Sequence, residues 1–241
     1  MCPTAPVIER FSGGMKTLLI TFSGIDGAGK STQIAKLADY LTVQQVPIRQ
    51  LAFWDDVVLF RSARTGCSRR DLQSDGAIGT PERPARRNDK NTQSWPLLIG
   101  RAVLHLFDVI HLRRVVGRAA KQNAGSAIIF DRYIFDQLAA LPMHRWWVRA
   151  YAKLLLRIAP KPDLALLLDA VPEAARARKP EYPLSFMRTY RSAYLELHTL
   201  ANMELIPAAE PEMVYLTILD RLNQTTGCPQ PAPQLGSAVP A

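Results

Sequence analysis

The chain has 241 residues, 48% apolar and 21% charged, which is ordinary for a soluble globular protein and enough for one α/β domain with a real core. Lys and Arg outnumber Asp and Glu by 30 to 21, a formal charge of +9; that excess suits phosphate-bearing ligands, nucleic acid included, but a solvated basic surface explains it equally well. Three scattered cysteines argue against a disulfide framework or a zinc site. The N-terminus lacks a long apolar run, and Arg101, Asp108 and Arg157 break the longest apolar stretches, so no signal peptide or membrane span is expected and a reducing cytoplasm is.

Residues 1–15 read as a loose arm. The run "KTLLITFSG" is short, apolar and closed by Gly24, which predicts a buried strand. In "STQIAKLADYLTVQQ", Ile34, Leu37, Ala38 and Leu41 share one helical face, and Pro47 follows the end. "PIRQLAF" predicts a second strand. Residues 55–95 are polar, basic and punctuated by Gly and Pro, an insertion longer than an ordinary loop. After it, "PLLIGRAVLHLFDVIHLRRVVGRAAKQ" predicts a long, mostly buried helix and "SAIIFD" a third strand. Helical pattern returns over residues 134–159 with a break near Pro142. "DLALLLDA" is apolar throughout, as a strand covered on both faces must be. Residues 171–201 give two helices parted near Pro180 and Pro183. "MELIPA" is a weak fifth strand and "PEMVYLTILDRL" an amphipathic helix. Residues 224–241 form a Pro-rich tail expected to be disordered. Strands alternating with helices predict one doubly wound α/β domain over residues 16–223, with a parallel sheet of about five strands.

Residues 24–31 satisfy G-x-x-x-x-G-K-[ST], with the required strand before and helix after. Gly27 and Gly29 let the backbone turn tightly. The loop residues Gly24, Asp26, Gly27, Ala28, Gly29, Lys30, Ser31 and Thr32 can then surround a triphosphate. Inward-facing amides at a helix start favour the anion. Lys30 can reach the β- and γ-phosphates, and the Ser31 hydroxyl can ligate Mg²⁺. Four constrained positions match by chance in about one such chain in three hundred. ATP binding on a P-loop NTPase fold is therefore a better explanation than a glycine-rich turn with an exposed lysine.

"IIFDRYIF" ends the third strand at Asp131, where an acid can hold Mg²⁺ directly or through water, and Arg132 can pair bidentately with phosphate. An Asp–Arg ion pair or a helix cap beside the sheet accounts for the same two residues. Taken together, "ITFSGIDGAGKSTQ", "IIFDRYIFDQLA", "PDLALLLDAVPEAARAR" and "MRTYRSAYLEL" resemble the thymidylate kinase family over residues 16–222, the insertion apart. The resemblance implies an ATP-dependent nucleoside monophosphate kinase. It places Lys30 and the loop amides on the donor phosphates, and Ser31 and Asp131 at Mg²⁺. Asp26 would face the acceptor's sugar hydroxyl, and Arg132 would clamp phosphate near the reacting centre. Some members carry an arginine after the loop acid; others have glycine there and catalytic arginines in a lid. Gly27, with Arg176, Arg178 and Lys179 in a lid at about 171–185, resembles the second kind. Members are usually dimers, so a homodimer is expected, while a membrane or nucleic-acid partner is not.

The acceptor half departs from that family. "RQLAFWDDVVLF" lacks the Arg-Glu-Pro-Gly-like turn that grips the monophosphate, and Asp55 and Asp56 would repel a phosphate there unless a metal intervened. After Asp-Arg-Tyr the family often has Ser-Ser-x-Ala-Tyr-Gln, whereas this chain continues through Asp136, Gln137, Leu138, Ala139, Ala140 and Leu141. Asp108 or Ile110 falls nearest the family's base-reading arginine. Trp54 can stack on a base or simply pack. Arg86, Arg87 and Lys90 can bring new phosphate contacts or remain solvated. Two other functions stay open: phosphoryl transfer to a non-nucleotide small molecule, and a non-catalytic nucleotide-binding module that regulates a partner.

Overall fold

A computed structural model describes residues 17–59, 95–122 and 125–226. The N-terminal arm, most of the insertion (with Arg86, Arg87 and Lys90) and the tail from 227 lie outside the described residues. The elements in chain order are β1 (Leu18–Ser23), α1 (Lys30–Val43), β2 (Ile48–Ala52), α2 (Trp95–Gln122), β3 (Ala127–Asp131), α3 (Ile134–Leu138), α4 (Trp146–Ile158), β4 (Leu164–Leu168), α5 (Pro172–Arg178), α6 (Leu184–Ala201), β5 (Glu204–Ile206) and α7 (Pro211–Thr226). The last helix runs three residues past the expected domain end at 223.

The five strands form one sheet in the order β2-β3-β1-β4-β5, every pairing parallel. Alternation along the strands sends side chains to both faces, which explains why the central ones are mostly apolar. Leu18, Ile20, Phe22, Ile129, Leu166 and Leu168 face a core completed by Ile34, Leu37 and Leu41 of α1 and Ile218 and Leu222 of α7. Leu19, Ile128, Phe130, Ala165 and Leu167 face the opposite core, against Val109 and Leu112 of α2, Leu155 of α4 and Leu197 of α6. Both sides of the sheet are thus closed by helices, the arrangement that a parallel sheet requires.

The expectation of a mostly buried α2 is corrected. Val109, Leu112 and Ala119 are buried, whereas Ile99, Val103 and Phe107 are exposed. Only one stripe of this helix meets the core, and its high apolar content hid that asymmetry. The chain leaves β2 through a single π-helical turn, Phe53–Val57, in which the Val58 amide donates to the Phe53 carbonyl at 3.1 Å. Phe53 and Val57 anchor the turn in the core. No helix among the described residues is long and apolar enough to cross a membrane.

Candidate active site

Parallel strands bring their C-terminal ends to one edge, and the register aligns Ala52 and Phe22 on either side of Asp131. The glycine-rich loop leaves β1 there and returns into α1. Gly27 and Gly29 hold φ of 81° and 88°, as a tight amide-lined turn demands. The loop also lies hard against β4: a Cβ on Gly24 would sit 2.4 Å from the Leu168 carbonyl oxygen. Ser31 and Thr32, in the first turn of α1, are open to solvent.

Lys30 is buried and folds back over its own loop, its ammonium donating to the Gly24 and Ile25 carbonyls at 2.9 Å each. Burial first, and the Arg132 guanidinium second, pull its pKa from 10.5 to about 8. Asp136, Asp26 and Asp131 act in the opposite direction. A cation held so near to losing its proton gains strongly from an incoming anion.

Arg132 follows β3 at φ 67°, a conformation costly for a residue with a side chain. Its amide donates to Phe22 at 2.9 Å, tying the turn to β1. The guanidinium forms an ion pair with Asp26 through Nη2 and a second with Asp136 through Nη1, the latter at 3.2 Å. Asp131 Oδ1, by contrast, is buried with no hydrogen-bond donor among the described residues. An orphaned carboxylate oxygen at the strand end suits a hard divalent cation, which favours oxygen ligands.

Arg176 and Arg178, expected in a lid, lie on α5, whose Ala175 backbone touches Gly27. Arg176 and Arg178 make no hydrogen bond or ion pair among the described residues, while Lys179 pairs with Glu181 at 3.3 Å. Two links run from this region to α6. The Glu173 carboxylate accepts from Arg188 Nε at 3.0 Å, and Asp169 takes Arg191 bidentately, both contacts at 2.6 Å. Trp54 stands on the turn after β2, 39% exposed, its ring edge-on to Phe53 at 5.7 Å.

Two acids of the acceptor half have structural partners. Asp56 accepts from the Ala52 amide at 2.7 Å and closes the π turn. Asp108 is fully buried and accepts from Gln137 Nε2 at 2.7 Å and from the Leu59 amide at 3.0 Å. The sequence reading missed the buried carboxylate of Asp136, which gathers donors from Ser23, Tyr133, Tyr194 and Arg132. Part of a signal existed in the spacing: Tyr190 and Tyr194 are four apart on α6 and so share a helical face.

A parallel sheet whose first strand feeds an anion loop, with an acid–arginine pair ending the neighbouring strand, defines a P-loop phosphotransferase. No family model matches the chain. A thymidylate kinase of Ruegeria pomeroyi is 30% identical over 166 residues, 67% of each chain. A probable thymidylate kinase of Archaeoglobus fulgidus is 27% identical over 186 residues, 74% of this chain and 81% of that protein. The crystal structure of thymidylate kinase from Ehrlichia chaffeensis shares the fold, with a TM-score of 0.51 and 18% identity over 86% of this chain and 99% of that one. The chain belongs to the thymidylate kinase family.

Proposed function

We propose that the chain is an ATP-dependent nucleoside monophosphate kinase with dTMP as acceptor: dTMP and ATP become dTDP and ADP. Family membership supports the acceptor. The observation that carries the chemistry is the convergence of Lys30, Arg132 and the donor-free Asp131 oxygen at one sheet edge.

Each residue acts by position and charge, which is most of what phosphoryl transfer requires. Lys30 exchanges its two loop carbonyls for β- and γ-phosphate oxygens, and the amides of residues 27–32 complete the cradle. Ser31 and Asp131 are the residues that would hold Mg²⁺, which supplies charge neutralisation on the phosphates. Asp26 turns from Arg132 to the acceptor's sugar hydroxyl, and Arg132 turns to phosphate. An oxygen of the acceptor phosphate attacks the γ-phosphorus, and the bond to the β–γ bridging oxygen breaks, releasing ADP. Arg176 and Arg178 neutralise the moving group as the lid closes and excludes water. Trp54 stacks on the acceptor base. The setting is cytoplasmic, and the exposed Ile99, Val103 and Phe107 stripe of α2 supports a homodimer.

A coupled ADP-release assay over dTMP, dUMP, dCMP, CMP, AMP and GMP tests this. The highest kcat/KM is expected with dTMP. ATP binding without turnover of any monophosphate rejects the reading.

A further inference from the structure

Asp136 lies buried behind Arg132 and has no part in the roles assigned above. It is 1% exposed, and a carboxylate that deep persists only where donors surround it. Ser23 Oγ and the Tyr133 amide donate to Oδ2 at 2.7 and 3.0 Å, while the Tyr194 phenol and Arg132 Nη1 donate to Oδ1 at 2.6 and 3.2 Å. Its own carbonyl accepts from the Tyr190 phenol at 2.8 Å. These donors come from β1, the turn after β3, and α6 behind the lid, so three separate elements fix the acid in place.

Arg132 sits differently. One end of its guanidinium meets this fixed acid, and the other meets Asp26, a loop residue at the mouth of the phosphate cradle. We propose that Asp136 is a positioning residue for Arg132: it holds Nη1 in place while Nη2 exchanges Asp26 for a phosphate oxygen. A planar guanidinium pinned at one end keeps its orientation through that exchange, whereas one released at both ends would have to be ordered again in each cycle. The proposal rests on the kinase reading and specifies how this chain's own acid serves it.

The test compares wild type, Asp136→Asn, Arg132→Lys and the double variant, below the unfolding range of each. Asp136→Asn keeps the side chain's size and removes its charge. It is expected to lower kcat about tenfold or more, with the ATP dissociation constant changed by less than about threefold. In the Arg132→Lys background it is expected to add no further loss. Unchanged kcat, or losses that multiply in the double variant, would overturn the proposal.

A second readout needs no turnover. Nitrogen-15 spectra of arginine side chains, with the Arg132 signals assigned by their loss in Arg132→Lys, should show separate Nη resonances at low temperature in wild type. They should merge in Asp136→Asn. If no monophosphate is phosphorylated, the kinase reading fails while this spectrum still decides the role of Asp136. Separate Nη signals in both proteins, or in neither, contradict it. If Asp136→Asn does not fold, Tyr194→Phe removes one donor from the same oxygen and is judged by the same kinetic and spectral criteria.

Discussion

The carbonyl oxygen of Ala175 occupies the space that a side chain on Gly27 would need: an added Cβ would stand 2.3 Å from it and 2.9 Å from its carbon. α5 therefore rests directly on the glycine-rich loop, backbone against backbone, and a side chain after Asp26 would exclude it from this position.

Gly27→Ala is accordingly expected to damage the protein twice. At φ 81° the new Cβ is strained, costing roughly 1–3 kcal/mol of stability, which a urea melt would register. The lid must also move off the loop, so kcat/KM should fall about tenfold or more. A variant with wild-type kcat/KM would mean that the contact with α5 is not needed in turnover.

Lys30 carries a pH signature. Its folded pKa, about 8, lies below the unfolded 10.5, so between those values the unfolded chain binds more protons. Stability contributed by this group therefore rises with pH through that window and is lowest below it. Triphosphate oxygens favour the charged ammonium, so ATP binding just above pH 8 should take up a proton, visible with an indicator dye in weakly buffered solution. Lys30→Met should abolish the uptake, lower kcat by about 10²–10³ and leave the melting temperature unchanged or higher.

Asp131→Asn separates activity from stability in the same way. A buried carboxylate oxygen without a donor destabilises the fold, so the amide should leave thermal stability unchanged or improved. The Mg²⁺ concentration giving half-maximal rate should rise, and kcat should fall by about two orders of magnitude. A magnesium titration beside a thermal melt checks both. Loss of stability with no change in the magnesium requirement would remove Asp131 from the metal site.

Arg176→Ala and Arg178→Ala test the lid. Neither side chain bonds to another group among the described residues, so unfolding midpoints should stay close to wild type. Transfer should slow by about 10–10³ in at least one variant, because a cation at the γ-phosphate is missing only during reaction. Steady-state kinetics with ATP affinity measured in parallel would expose the opposite outcome, weaker ATP binding with unchanged kcat.

Local pattern carried most of the fold. The β1 run, the loop and the α1 face form a continuous stretch whose geometry is set by neighbours in the chain, and the Pro180–Pro183 break between α5 and α6 is also local. The position of the glycine-rich loop between β1 and α1, with Lys30 at the helix start, was legible for the same reason. What sequence could not supply was pairing at a distance. Ser23 and Tyr194 meet at Asp136 from 113 and 58 residues away, and no periodicity encodes that meeting. Asp56 looked like a charge facing a phosphate, yet it accepts from the Ala52 amide at a turn anchored by Phe53 and Val57, and Asp108 is buried against Gln137 and the Leu59 amide, partners 29 and 49 residues away. For α2, apolar composition did not say which stripe would face the core.

Calorimetric titration of the folded protein with ATP in the presence of magnesium tests the central claim most directly, namely that the loop around Lys30 is an anion cradle for a magnesium-bound triphosphate. The account predicts one ATP bound per chain and loss of that binding in Lys30→Met. An intact protein that takes up neither ATP nor GTP, or a Lys30→Met variant that binds as tightly as wild type, would contradict it.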